Sequence, residues 1–403
     1  MKRTSQFRLA LLFALQIGFF SSCRNEVERR DVRPLVLHDV PAQNLAFRLE
    51  ADTGLPSDIK TQDPGDKVAL IQTDFISNRK NDALIRTVVS PDGRRVLALY
   101  GTADEPNEAF RIDIYSDDAK FLRNLTPPEL SGAFPESAAW SPDGNFITFI
   151  AHKNTTPSPS PEPLDEIVTA TPPASGSPTP TPSIAPAFAP VALFNTEQIY
   201  ICNRDGYELK PLTTREGLIY FHFEWAPDNH ALAALACKEE EWNARAKEYK
   251  QPVGRPRLIT IEGQERLLDD QLAAAPPVWS PDSSKVATAF DTDVGIYDAA
   301  TSKPTQARIP LRDVLLAASV AYEQKTAASA AKKNDNANQQ AAVTQPTTDA
   351  VPASFNPIVR LNWSTPEKLY IQTAYVRLLP HDLINNFQRW HLVVLSAQAA
   401  ILK

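Results

Sequence analysis

Short stretches of alternating apolar and polar residues recur along the chain, separated by clusters rich in Pro, Asp, Gly and Asn. Alternation with a period of two marks half-buried strands, so the pattern predicts an all-β chain. One order of pieces repeats five times: an apolar lead, a Pro-Asp turn, then three further strands. The turns carry Ser90, Pro91, Asp92 and Gly93; Trp140, Pro142, Asp143 and Gly144; Trp225, Pro227, Asp228 and Asn229; Trp279, Pro281, Asp282 and Ser283; and, degraded, Trp363 followed by Ser364, Thr365, Pro366 and Glu367. Second strands read RRVLALYG, NFITFIAH, HALAALAC, SKVATAFD and EKLYIQTA, and the fourth strands close with FLRNLT, ELKPLT, ERLLDD, QARIPL and AAILK. Four short strands per repeat is the blade of a β-propeller.

The residues that open the turns lie at 90, 141, 226, 280 and 364, so the intervals are 51, 85, 54 and 84. Two low-complexity runs account for the long ones. Residues 157–190 hold 11 of the 35 prolines, and 324–354 are rich in Ala, Gln, Asn and Thr. Both are too poor in large apolar groups to fold alone. Setting aside their 34 and 31 residues brings the intervals to 51, 51, 54 and 53.

The turn has a physical logic. Ser caps its start, Pro presets φ near −65°, Asp tolerates the third position, and Gly takes the positive φ that closes the hairpin. Asn229 can fill that last role and Ser283 less comfortably, while the shifted Pro366 predicts a fifth hairpin of different shape. Residues 33–80 contain strand-like RPLVLHDV, QNLAFRLEAD and KVALIQTD without such a turn. They predict a sixth, degenerate blade, favoured over five, with N-terminal pairing to the last blade as the way to remove exposed edges. Helical spacing marks 238–249, where Trp242, Ala246 and Tyr249 share a face, and a second stretch from Asp313.

The first 22 residues read as an export signal: Lys2, Arg3 and Arg8 precede an apolar run from Leu9 to Phe20 that is short for a bilayer span. Phe20-Ser-Ser-Cys23 resembles a lipobox, which implies lipid on Cys23; an ordinary secretory signal and a retained anchor are the alternatives. Residues 23–32 read as a linker and 33–403 as the propeller. Export permits a Cys202–Cys237 disulfide, but two buried thiols on different strands is the preferred reading because disulfide geometry is demanding. A net charge of −7 without a Lys/Arg cluster in the mature body excludes a nucleic-acid footprint.

The W-S-P-D-G turn followed by an I-Y-x-x-N/D strand, best seen in QIYICNRDGYELKPLT at 198–213, resembles the TolB-like Pro-Asp propeller repeat. The resemblance covers about 86–403 outside the two runs and implies the propeller fold, in a periplasmic setting. It implies little about activity, because prolyl oligopeptidase-like peptidases and some pectate-fragment lyases carry similar repeats. The stretch between Cys23 and Ser90 shows no βαβα pattern, unlike the α/β domain ahead of the TolB propeller, so the Tol-Pal partners are not carried over.

No G-x-S-x-G elbow, phosphate loop, H-E-x-x-H or EF-hand spacing occurs. His222, three residues before Trp225 on a strand expected to line the channel, is the best candidate among six scattered histidines for a funnel site. The recurring tryptophans suit packing between blades better than ligand stacking. The expectation is a lipid-anchored, periplasm-facing scaffold that binds an envelope protein or peptide without cofactor or catalysis. A metal-assisted lyase or hydrolase using funnel residues, and a structural envelope protein, are the alternatives. Arg24 after the lipidated Cys leaves outer-membrane sorting open.

Overall fold

The computed structural model describes residues 36–54, 67–104, 109–154, 191–248, 250–299, 301, 303–334, 354–355, 357–378 and 383–397. Cys23, the expected signal and linker, all of 157–190 and most of 324–354 lie outside them.

Five antiparallel sheets follow one another along the chain. The first contains Asp82–Val89, Arg95–Thr102, Arg111–Ser116 and Phe121–Asn124. The second has a lead strand in two pieces, Leu130–Ala133 and Ala139–Trp140, then Phe146–Lys153, Gln198–Asn203 and Lys210–Pro211. The third is Leu218–Trp225, Ala231–Lys238, Arg255–Thr260 and Glu265–Leu267, and the fourth Val278–Trp279, Lys285–Phe290, Asp293–Asp298 and Gln306–Pro310. The fifth pairs Ser354–Phe355 and Ile358–Thr365 with Lys368–Leu378, then Leu383–Ala397, and ends on the N-terminal strand Leu45–Thr53.

The N-terminal strand corrects two expectations. Leu45 pairs with Ala397 and Leu49 with Val393, so QNLAFRLEAD supplies the fifth sheet's outer strand. It takes the place expected for AAILK, which lies outside the described residues. The favoured sixth blade does not form among the described residues: LHD at 37–39 is a 3-10 turn, and Ala69–Asn78 is a helix, α1. Ile71 and Phe75, one helical turn apart, pack on Val96, Ala98, Tyr100 and Tyr115 of the first sheet. Arg79 locks the helix end there, donating to buried Asp113 at 2.6 Å and lying over the Phe75 and Tyr100 rings.

Apolar clusters join consecutive sheets. Leu97 and Ile112 meet Phe149 and Tyr200; Ile150 and Ile199 meet Leu232 and Ile259; Leu235 and Leu258 meet Val286 and Tyr297; and Val294 and Ile296 meet Leu369 and Ile371. Packing consecutive sheets face to face in this way gives a β-propeller-like, mostly sheet fold.

The Pro-Asp turns show how their residue types are used. The Ser90 hydroxyl donates to Asp92 at 2.7 Å and accepts the Arg95 N–H at 2.9 Å, while Asp92 accepts the Arg94 N–H at 3.1 Å. Ser141 with Asp143 and Ser280 with Asp282 repeat the pattern. Gly93, Gly144, Asn229 and Ser283 all take positive φ, 72°, 73°, 66° and 59°. In the fifth hairpin Thr365 pairs directly with Lys368 across Pro366 and Glu367, a tighter turn than the others. Successive turns also touch: Asp143 N–H donates to Asn229 Oδ1 at 2.9 Å, and Asp228 N–H to Ser283 Oγ at 3.0 Å.

Helix α2, Glu239–Lys247, connects the second and third strands of the third sheet. Three glutamates in its first turn and Arg245 and Lys247 in its last suit the helix dipole. Helix α3 spans Arg312–Asn334. It therefore runs past Gln324 into the stretch expected to be unfolded, because the alanines of TAASAAKK favour a helix even without large apolar groups. Among the described residues no helix is long and apolar enough to cross a membrane.

Cys202 and Cys237 are free buried thiols on the second and third sheets. Burial pushes both thiols up, Cys237 to about 11, so neither is a ready nucleophile.

His391 on the fifth sheet is 1% exposed. Its Nδ1 accepts the Asp52 N–H at 3.2 Å, and Nε2 lies 3.0 Å from the Thr373 hydroxyl, so the neutral ring protonated on Nε2 satisfies both contacts. Burial first, and the nearby Arg389 cation second, lower its pKa from 6.5 to about 4. The unfolded chain takes up this proton as pH falls below 6.5 while the native state refuses it, so stability drops until about pH 4. The loss from this group is about 3 kcal/mol. His391→Gln should flatten the decline of the urea midpoint across that window; unchanged slopes in wild type and variant would rule His391 out as its source.

Candidate site: a recessed cavity between the lead strands

The lead strands carry a recurring irregularity. In the first, third and fifth sheets the pairing skips a residue between Leu84 and Arg86, Tyr220 and His222, and Ile358 and Arg360. Each skip is a bulge, which kinks the strand and re-aims the side chain after it. Arg86, His222 and Arg360 all stand three residues before the Trp position of the repeat, held by Val89, Trp225 and Trp363. In the second sheet the strand breaks instead at Phe134, whose φ of 58° is a strained, left-handed conformation for an aromatic residue. The Ser137 N–H and hydroxyl hold that kink by donating to the Phe134 carbonyl at 2.8 and 2.7 Å.

Between the lead strands of the first three sheets lies a cavity of about 810 Å³. Its aromatic wall is Phe134, Trp140, Phe221 and Trp242, and its ionisable groups are Arg86, Glu136, His222 and Glu224. Trp242 comes from α2 and sits between two rings of the wall, 5.4 Å from Phe134 and 5.6 Å from Phe221. Glu241 fixes the helix that carries it. Its carboxylate accepts the Lys238 N–H at 3.0 Å and a forked pair of bonds from Arg255 at 2.7 and 2.9 Å. Arg255 first, then the N–H bond, hold Glu241 at about 2 against the opposing effect of burial.

The polar groups of the wall are poorly matched. Burial alone lowers His222 to about 4, and its Nε2 is sealed from solvent without a hydrogen-bond partner among the described residues. Glu224 is exposed on the cavity wall, and the protein around it raises its pKa by desolvation. No cation among the described residues pairs with it. Arg86 is lowered by burial, partly offset by the charge of Glu136, and makes one long bond to the Pro135 carbonyl at 3.4 Å.

The motif residues lie mostly elsewhere. Trp140, Trp225, Trp279 and Trp363 are each 7% exposed. Trp140 Nε1 donates to the Val88 carbonyl at 3.0 Å, Trp225 to the Thr148 hydroxyl at 2.8 Å and Trp279 to the Glu224 carbonyl at 3.0 Å, each reaching the preceding sheet. Trp363 bonds locally to the Pro366 carbonyl at 3.3 Å. Only Pro91 and Trp140 of the turn motif reach the cavity wall. His222 lines the cavity, whereas His152, His230 and His391 lie outside its wall and His38 is near the Asp282 turn. His381 is outside the described residues. Among the described residues no three His, Cys, Asp or Glu side chains cluster as a metal site. Arg86 and Glu224 were not singled out by motif, yet aligning the leads on their last residue puts Arg86 at the same position as His222.

No family model matches the chain, and no curated protein matches it. Among solved structures, a prolyl oligopeptidase B from Galerina marginata is similar at 11% identity and a TM-score of 0.41, over 86% of this chain and 41% of that one. A chain of a nidogen/laminin complex matches at 11% identity and 0.32, over 88% of this chain and 99% of that one. A dipeptidyl aminopeptidase IV-type protein from Bacteroides ovatus matches at 12% and 0.27, over 66% and 43%. The chain thus spans about two fifths of the prolyl oligopeptidase length, and likeness at these scores leaves function to be argued from the site itself.

Proposed function

We propose that this chain is a five-bladed propeller of the TolB-like repeat type, closed through its N-terminal strand, that binds an envelope protein or peptide in the cavity without catalysing a reaction. Lipid on Cys23 tethers it to a membrane, with the propeller facing the periplasm. The observation that carries the binding role is the aromatic cavity itself, in which Trp242 is brought to the wall by a helix inserted between two strands. Rigid aromatic anchors of this kind are typical of recognition surfaces. Two features support a binding rather than a catalytic reading. The Ser137 hydroxyl donates to the Phe134 carbonyl, and among the described residues His222 Nε2 meets no hydrogen-bond partner.

A photo-crosslinking amino acid at position 242 tests this in intact cells. The expected result is one reproducible protein adduct, absent when the same group is placed at exposed Tyr207. No adduct, together with metal in the purified protein, would favour the metal-assisted enzyme; no adduct and no metal would favour a structural envelope role. The tether is tested separately: Cys23→Ala should abolish incorporation of labelled fatty acid, and continued labelling would remove the anchor from the proposal.

A further inference from the structure

The charges of the cavity wall indicate what kind of peptide it takes. Arg86 feels the negative charge of Glu136, which partly offsets its burial. Glu224 is left as an exposed carboxylate on the cavity wall without a cation among the described residues, two positions along the same strand from His222. The His222 ring, held neutral by burial, cannot neutralise that carboxylate. Of these two groups Glu224 therefore wants from a ligand an N–H donor carrying positive charge. Around them Phe221, Trp242, Phe134 and Trp140 offer ring faces, which attract cations through their quadrupoles. A carboxylate that has lost part of its hydration regains most from a charged donor.

We propose that the cavity receives a lysine or arginine side chain of an extended peptide, with Glu224 as its counter-ion and the aromatic wall around the alkyl stem. This inference rests on the peptide-binding reading above and adds the charge of the ligand to it.

The test uses the purified full-length chain in detergent and two fluorescein-labelled peptides that differ only in a central pair of lysines or of glutamates, followed by fluorescence anisotropy. The lysine peptide should bind about tenfold or more tightly than the glutamate peptide, the size of one charge-assisted contact. Glu224→Gln keeps the side-chain shape and the main-chain carbonyl that Trp279 uses, so an unchanged unfolding midpoint is expected together with loss of the preference. Arg86→Gln removes a like charge from the cavity and should enlarge the preference, which gives a second readout of opposite sign. Equal binding of both peptides, or a lysine preference that survives Glu224→Gln, would overturn the charge assignment while leaving peptide binding intact. Binding of neither peptide would overturn both.

Discussion

Replacing Trp225 by alanine is expected to lower folding stability by about 3–5 kcal/mol, the usual result of emptying a buried aromatic site. The indole is 7% exposed and stacks on Phe146 with ring centroids 6.4 Å apart and planes 20° from parallel. Its Nε1 donates to Thr148 Oγ1 at 2.8 Å, inside the joint between the second and third sheets. Alanine removes the ring from both sheets at once, and the flanking strands are tied by their own ladders and cannot close over the gap. The loss should appear as a lower urea midpoint with an unchanged m value. Trp225→Phe keeps most of the packing and loses the hydrogen bond, so it should cost much less, about 1 kcal/mol for the bond plus a smaller packing loss. An alanine variant as stable as the parent that had lost only ligand binding would show that the tryptophan serves recognition.

Repetition made most of the architecture legible. A Ser-Pro-Asp-Gly turn is readable because each residue answers a local requirement, and the structure adds only that Ser90 and Asp92 bond to each other as well as to the backbone. What stayed hidden was set by tertiary context. KVALIQTD is too short a run for its period to separate strand from helix; Ile71 and Phe75 acquire meaning as a helical pair only once the first sheet presents Tyr100 and Tyr115 to them. The destination of the N-terminal strand was a choice between a new blade and the edge of the last one, and pairing with Leu383–Ala397 is a contact across almost the whole chain. The cavity was the least legible feature, because a bulge is a mismatch between two strands and leaves no mark on either alone. His222 could be placed by its distance from Trp225. Glu224 could not, since a lone acidic residue on an outer position reads as solvated until both neighbouring strands are in view.

The joint that ties the N-terminal lead to the fourth sheet should be as sensitive as the tryptophan. Asp298 and Lys285 form an ion pair at 3.2 Å with 2% and 4% of their side chains exposed. Asp298 also accepts the Ala42 N–H at 3.0 Å, and the Thr305 N–H and hydroxyl at 2.9 and 2.6 Å. Burial pushes its pKa up, but these bonds and the lysine outweigh that and hold the carboxyl below its ordinary value. Asp298→Ala should therefore cost about 3–5 kcal/mol, since it leaves a buried ammonium without a counter-charge and three donors without an acceptor. Ala42 opens the 3-10 turn that leads into Leu45–Thr53, so amide exchange in that strand should accelerate more than exchange in the first sheet. A second change distinguishes the orphaned charge from the lost hydrogen bonds. Lys285→Met in the Asp298→Ala background removes the uncompensated ammonium, and part of the stability should return although the chain has lost another polar group. If the two substitutions simply add, the pair is not energetically coupled, and the damage from Asp298→Ala belongs to the hydrogen bonds of Ala42 and Thr305.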